Sequence, residues 1–335
     1  MFFGSMTTLQ DICRPIEDDF RSFEQSYEQT LSANDQPLLE DVLRHIMSRR
    51  GKQLRPRLVL LAAKLCRGIT DKTIQTAIAL ELLHTASLIH DDVVDSSPKR
   101  RGIDAVQMRW GNKVAVLVGD FILSQVMSIV CRLHNQSIMS ILASLSAQLS
   151  SGEIMQLHSN ATMWITEEQY YRIIEQKTAQ LFAACTEAGA ESSCASMRQT
   201  SALRQYGLHL GMCFQLKDDV LDYSDSEELG KPTMNDIRDG KATLPLLIAL
   251  QRASREEANH IRSLAESLAH DTADSVYDVE QEIKAFVLRY EGMRYAHKRM
   301  LWHKEKAVEA LQAFHDSVTK QSLINLIDYA INRVQ

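Results

Sequence analysis

Turn-forming residues are scarce in this chain of 335 residues. Glycine and proline together number 19, where average usage of roughly 7% and 5% gives about 40. A fold of many short strands needs frequent turns, so the shortage works against one and favours long helices. Closely spaced cysteines are missing too. Cys13, Cys66, Cys131, Cys185, Cys194 and Cys213 are dispersed without a CxxC pair, and no signal peptide is evident ahead of them, so a reducing, cytoplasmic setting is expected. No apolar run is seen to approach the ~20 residues that span a bilayer, which leaves only peripheral membrane contact open. An excess of positive charge is also lacking. The formal net charge is −6, which argues against non-specific binding to nucleic acid and confines any basic site to a local patch.

What is present is apolar and helical in pattern. With 45% hydrophobic and 24% charged residues, the chain can bury a large core without disulfides or structural metals. The opening MFFGSM is too short an apolar stretch for a signal. Residues 1–34 are therefore set apart as an N-terminal segment, and residues 35–335, free of low-complexity linkers and repeats, are read as one domain. Asp71 to Asp95 reads as a central helix, capped at Thr70 or Asp71, with no internal Gly or Pro and apolar residues on nearly all sides. Lys113 to Leu133 is a second long apolar segment with too little polar face for a solvent-exposed helix. Glu167–Ala190, Ser201–Tyr223 and Leu244–Arg252 read as further core helices, and Val279–Phe314 as a more charged, peripheral one.

Two aspartate clusters end apolar helices. Asp91-Asp92-Val93-Val94-Asp95 closes the first. Residues four apart share a helix face, so Asp91 and Asp95 project together with Asp92 beside them. Three carboxylates there repel one another at the negative end of the helix dipole, a balance that a bound divalent cation reverses. An isolated DDxxD is more often a solvated helix end. Here Asp218-Asp219-Val220-Leu221-Asp222 repeats the spacing. Two such clusters facing each other across a cavity would clamp Mg²⁺, a hard cation that holds diphosphates through oxygen ligands and retained waters. Basic runs accompany them in Gly51-Lys52-Gln53-Leu54-Arg55-Pro56, in Pro98-Lys99-Arg100-Arg101-Gly102, and from Gly230-Lys231 to Gly240-Lys241. Arginine offers phosphate a bidentate fork and lysine a mobile point charge. The combination points to a substrate with a diphosphate head and a hydrocarbon tail.

In order and spacing, several motifs resemble the trans-isoprenyl diphosphate synthases over roughly residues 35 to 335. They are Gly51-Lys52-x-x-Arg55-Pro56, the first cluster with Arg100-Arg101-Gly102 after it, Gln176-Lys177-Thr178, the FQLKDDVLD of Phe214 to Asp222, and GKPTMNDIRDGKATLP from Gly230 to Pro245. The resemblance implies an all-α fold, an isoprenoid-synthase-type bundle of long, mostly antiparallel helices around a central hydrophobic cavity. It also implies Mg²⁺, three ions with substrate bound, and small-molecule diphosphate substrates. Together with the apolar segment Lys113 to Leu133 it implies a homodimer.

Residue roles follow from the same resemblance. Gly51, Lys52, Arg55, His84 and Arg101 match the positions that hold isopentenyl diphosphate. Arg100, Lys177, Lys231 and Lys241 match those that hold the allylic diphosphate. Asp91, Asp95 and Asp218 match direct metal ligands, with Asp92, Asp219 and Asp222 supporting or water-mediated. The metals and cations stabilise the departing pyrophosphate, so that the allylic C–O bond ionises. The resulting cation is kept from water, and Lys177, Thr178 and Gln215 present oxygen dipoles near it. The alkene of isopentenyl diphosphate attacks it, and released pyrophosphate takes the final proton. Three departures from the pattern stand out: Met234 where many relatives place glycine, Asp239 for the commoner Glu, and Gln156 at a position acidic in farnesyl-type members.

Short-chain members block the hydrocarbon pocket with bulky aromatics just before the first cluster. Here those positions are Ala86 and Ser87, with Leu83 a turn earlier. A helical turn rises about 5.4 Å and an isoprene unit extends roughly 5 Å. The ~37 Å of a helix from Asp71 to Asp95 then matches about seven units. A product of about six to eight units is expected, with Met127, Val130 and Leu133 as candidates for the pocket floor and membrane contact serving product release. A geranylgeranyl diphosphate synthase is the alternative. The intact Asp218-Asp219-Asp222 cluster and the second set of phosphate cations argue against a class I terpene cyclase. The undegraded clusters argue against a non-catalytic regulatory subunit.

Overall fold

A computed structural model describes residues 8–32, 36–160, 163–224, 234–270 and 275–333. These are helical apart from connections and one small hairpin, as the all-α reading requires. They group into two compact units. The first comprises the described residues up to Ser146 with Ala184–Arg204 and Leu311–Leu323, and the second comprises Ala147–Ala183, Gln205–Ala310 and the described residues from Ile324.

The first unit opens with α1 (Leu9–Ile12) and α2 (Glu17–Leu31), whose Phe20, Phe23, Tyr27 and Leu31 are buried. The segment set apart in the sequence thus builds core. After α3 (Pro37–Met47) and α4 (Leu54–Cys66) comes α5 (Asp71–Val94). A capping box starts α5: the Thr70 hydroxyl accepts from the Thr73 N–H, while the Thr70 N–H donates to the Thr73 hydroxyl. Its apolar residues point in all directions and are buried in all directions, against α2, α4 and α7 (Asn112–Leu133), which follows the short α6 (Val106–Trp110). Between α5 and α6 the run Lys99 to Asp104 is a hairpin of β1 (Lys99–Arg100) and β2 (Ile103–Asp104). The two linking residues, Arg101 and Gly102, have φ of 52° and 82°, the paired positive angles of a turn that matches strand twist.

Helix α7 corrects one expectation. Between Val114 and Cys131 Asp120 is the sole charge, so the helix is long and apolar enough, by length and composition alone, to cross a membrane. One side buries Ala115, Val118, Ile122 and Val126, and at Gly119 α5 comes so close that a Cβ would lie 2.1 Å from His90 Nε2. The other side leaves Val116, Leu117 and Met127 exposed. Of the floor candidates, Met127 faces outward while Val130 and Leu133 are buried.

The remaining helices are α8 (Gln136–Asn160), α9 (Glu167–Ile174), α10 (Gln180–Ser192), α11 (Met197–Leu221), α12 (Asn235–Arg238), α13 (Leu244–Arg252), α14 (Arg255–Ala269), α15 (Val276–Arg289), α16 (Gly292–Ala310) and α17 (Val318–Asn332). The expected single helix Glu167–Ala190 is interrupted by a π-helical turn, Glu175–Ala179. The expected helix Val279–Phe314 breaks at Glu291, where φ is 55°. Gly292 then packs on α13 so tightly that a Cβ would lie 2.1 Å from the Pro245 carbonyl oxygen.

Candidate active site

In the first unit, the C-terminus of α5 presents the first cluster. Asp91 is half-buried, Asp95 is exposed as the C-cap, and Asp92 is buried. Asp92 is committed to the hairpin: its Oδ1 accepts from Arg100 Nε at 2.8 Å and from Nη2. Arg101 turns the other way and donates from Nη1 to the Arg49 carbonyl at 3.1 Å. Its guanidinium lies 3.1 Å from where a Cβ on Gly51 would be. Gly51 has φ of 66°, so glycine answers both a backbone and a packing requirement there. This contact joins the turn that carries exposed Lys52 to the hairpin.

His84, two turns before Asp91, is buried, and burial followed by the charges of Arg55, Arg101 and Arg100 holds its pKa well below the usual imidazole range. It is a neutral imidazole with one N–H to donate. Glu81, one turn earlier, was not singled out in the sequence, because a lone acid in an apolar helix forms no motif. It is 4% exposed, and its Oε2 has no hydrogen-bond partner. Burial pushes its carboxyl up, while Arg55 and Arg101 pull it back. Glu81, Asp92, Arg100 and Arg101 line one pocket with Arg49 and Arg50. Leu83 and Ala86 are buried and Ser87 is half-buried, its hydroxyl donating to the His84 carbonyl at 2.9 Å.

In the second unit, Lys177 and Thr178 lie in the π-helical turn, a widened geometry common at functional sites. A hydrogen-bonded chain runs from it to the second cluster. Thr178 Oγ1 donates to Gln215 Oε1 at 2.8 Å, and Gln215 Nε2 donates to Asp219 Oδ1 at 2.9 Å. The carboxylate dictates which way the amide faces, since it can accept only from the NH₂. Tyr170 donates its hydroxyl to the other Asp219 oxygen. Burial, helped by Asp218 and Asp222, pushes Asp219 up to about 7 against these hydrogen bonds. Asp222 accepts the backbone N–H groups of Asn235 and Asp236 at 3.0 and 3.1 Å. Asp236 itself is pushed well above the carboxylate range by burial, then by Asp219 and Asp222.

Lys177 Nζ lies 2.5 Å from Glu153 Oε2, and Lys241 Nζ lies 3.2 Å from Asp239 Oδ2. Lys177, Thr178, Gln215, Asp219 and Lys241 line one pocket with Gln156. Asp218 is half-exposed and pairs with Arg333 at 2.8 Å. Lys231 lies outside the described residues. Met234 has φ of 60°, which accounts for the glycine expected there; its side chain is buried, offsetting a backbone cost of roughly 1–2 kcal/mol.

The donor set suits a hard cation. Asp91 and Asp95 of the first unit, and Asp218 of the second, carry the carboxylate oxygens that a hard cation takes, while burial, more than the acidic neighbours, raises Asp219 and Asp236. Among the described residues no three His, Cys, Asp or Glu side chains gather round one point. Carboxylate oxygens are ligands of the kind Mg²⁺ takes, one or two at a time beside retained waters and phosphate oxygens.

The profile of the polyprenyl synthetase family matches residues 36–283. The chain belongs to that family. This polyprenyl synthetase is 35% identical over 328 residues to an all-trans-nonaprenyl-diphosphate synthase (geranyl-diphosphate specific) of Rhodobacter capsulatus, covering 97% of this chain and 98% of that one. It is also 35% identical over 294 residues to a short chain isoprenyl diphosphate synthase of Methanothermobacter thermautotrophicus, covering 86% and 88%. Among solved structures it resembles a polyprenyl synthase of Caulobacter crescentus complexed with calcium and isoprenyl diphosphate, with a TM-score of 0.88, 32% identity, and coverage of 99% and 100%. As a polyprenyl diphosphate synthase the chain is a prenyltransferase.

Proposed function

We propose that this prenyltransferase condenses isopentenyl diphosphate repeatedly with an allylic diphosphate, farnesyl or geranylgeranyl, to an all-trans product of about six to eight isoprene units. The observation that carries the reading is the linkage of Thr178, through Gln215, to Asp219 of the second cluster, in one pocket with Lys177 and Lys241. Cations to hold a diphosphate and oxygen dipoles to face a carbocation belong together in this chemistry and in few others. Lys177, Lys241, Lys231 and Arg100 hold the allylic diphosphate. Gly51, Lys52, Arg55, His84 and Arg101 hold isopentenyl diphosphate. Mg²⁺, ligated by Asp91, Asp95 and Asp218, supplies Lewis-acid stabilisation of the leaving pyrophosphate when bound. Thr178 and Gln215, their orientation fixed by Asp219, present oxygens to the cation. Asp92 and Asp222 act behind these groups, holding Arg100 and the start of α12 in place.

Length is argued from Ala86 and Ser87, since a nonaprenyl and a short-chain relative are equally identical to this chain. The exposed Val116, Leu117 and Met127 on α7 support a homodimer whose interface covers them. Residues 35–335, with the core-building α2 packed on them, form the catalytic domain, which works in the cytoplasm and touches a membrane peripherally for product release.

Incubating the purified chain with Mg²⁺, isopentenyl diphosphate and geranyl, farnesyl or geranylgeranyl diphosphate, followed by chain-length analysis, tests the reading. A dominant product of about six to eight units is expected. A twenty-carbon product would replace it with a geranylgeranyl diphosphate synthase, and absence of any elongation by folded protein would overturn it.

A further inference from the structure

Lys177 does not stand alone in its pocket. Its Nζ lies 2.5 Å from Glu153 Oε2, and the carboxylate is the more buried partner, with side-chain exposures of 13% for Glu153 and 30% for Lys177. The second oxygen, Oε1, is buried and has no hydrogen-bond partner. The backbone holds this pair together. Gly152 brings α8 onto the π-helical turn so closely that a Cβ would lie 3.0 Å from both Lys177 N and Gln176 Cβ. Gln156, three residues beyond Glu153 and so on nearly the same helix face, lines the pocket that contains Lys177. A carboxylate placed deliberately against a lysine needed for an anionic substrate calls for a reason. It weakens ground-state attraction for the diphosphate, and burying it with one oxygen unsatisfied costs stability.

We infer that Glu153 is a positioning residue which restrains and directs the Lys177 ammonium, so that this cation serves the departing pyrophosphate more than the bound substrate. The inference rests on the assignment of Lys177 to the allylic diphosphate. An ammonium has three N–H donors. One is held by Glu153 Oε2, which fixes the direction of the other two. In the ground state, Glu153 and the diphosphate compete for the same charge. As the C–O bond lengthens, its electron pair passes to the bridging oxygen and negative charge grows on the pyrophosphate. The ammonium's interaction with it then strengthens relative to that with the fixed carboxylate. An interaction that is stronger in the transition state than in the ground state raises turnover, whereas one equally strong in both only tightens binding.

The test is a double-mutant cycle of Glu153→Gln and Lys177→Gln, read by steady-state kinetics for each substrate and by calorimetric binding of inorganic pyrophosphate with Mg²⁺. Glu153→Gln keeps an acceptor for Lys177 and removes the competing charge. Its kcat is expected to fall about tenfold. The KM for the allylic substrate should hold or fall, pyrophosphate should bind several-fold tighter, and the KM for isopentenyl diphosphate should stay within about twofold. Glu153→Asp, which retains the charge, should keep pyrophosphate binding at the wild-type level. In the Lys177→Gln background the Glu153 substitution should have no further effect, because contacting residues that act as a unit are not additive. Additive losses, or parallel rises in both KM values with a lower Tm, would assign Glu153 a merely structural role. If Lys177→Gln itself left allylic turnover unchanged, the site assignment would fail rather than the pairing.

Discussion

Arg333, just beyond the end of α17, reaches the second aspartate cluster, with its Nη2 2.8 Å from Asp218 Oδ1 and 2.8 Å from the Phe214 carbonyl oxygen. The guanidinium also stacks over the Phe214 ring, 3.6 Å from its centroid. In charge terms Asp218, the residue of this cluster assigned to Mg²⁺, is already partnered by a cation of the chain.

That pair separates the two metal-ligand substitutions. Asp91→Ala and Asp218→Ala should each lower turnover by orders of magnitude, with near-normal rates at saturating Mg²⁺ contradicting the assignment. Sequence reasoning expects both to relieve carboxylate repulsion and so to preserve or raise stability. For Asp91→Ala the Tm without Mg²⁺ is expected to hold or rise. Asp218→Ala also strands Arg333, only 9% exposed, so its Tm without Mg²⁺ should fall. The cost is about 1 kcal/mol, because Asp218 is 44% exposed and solvent screens the pair.

The two diphosphate sites should respond separately. Lys52→Ala should chiefly raise the KM for isopentenyl diphosphate, since an exposed lysine removes attraction present in ground and transition states alike. Arg100→Ala should weaken the allylic substrate instead, and should also leave the Asp92 carboxylate buried without its cation. Adding Asp92→Ala should restore the Tm without restoring activity. Equal effects of Lys52→Ala and Arg100→Ala on both substrates would refute the division.

The helical class and the two clusters were legible because both are local: a shortage of turn residues, and carboxylates four apart. What periodicity could not register are features set by a neighbour distant in sequence. The break at Glu291 exists because Gly292 meets Pro245, and the π-helical turn interrupts a pattern that reads as continuous helix. Tyr170, Glu153 and Arg333 acquire significance only through Asp219, Lys177 and Asp218. Met234 shows the converse: the departure from glycine was visible, but its reason, a φ of 60°, was not.

A histidine pair, His303 buried and His209 half-buried, should shape the response to acid. His303 Nδ1 and His209 Nδ1 are 2.9 Å apart, which requires one to donate to the other. Burial, with His209 and Arg299 adding, lowers His303 to about 3. An unfolded histidine titrates near its model value of 6.5, so between those pH values the unfolded chain binds a proton that the folded chain refuses. Stability therefore falls as pH drops below about 6.5, by up to ~2 kcal/mol at pH 5. In His303→Phe this contribution disappears, so its Tm should decline less than the wild-type Tm between pH 7 and pH 5. Equal declines would show that His303 does not titrate this way.

Product length is the test furthest removed from motif matching. Ser87 lies one helical turn before Asp91 and on the same face, and Ala86 adjoins it, so a chain anchored by its diphosphate near Asp91 would run past both as it grows. Ala86 is fully buried, between Leu83 and Ile89 in a helix packed on every side. Ala86→Phe should place a ring across the path while leaving the aspartates, Arg100 and Lys177 untouched. Ionisation and the first condensation should survive with a modest loss of rate. Later condensations should fail when the tail meets the ring, shortening the product to about three or four units by one-turn-per-unit reckoning. Overpacking so tight a position also costs about 1–3 kcal/mol, so a melting curve must accompany the assay. Ser87→Phe, at a half-buried position, provides a second block with less strain on the core. If both variants fold and still release the wild-type length, the tail does not run along this face of α5, and small residues at 86 and 87 say nothing about chain length.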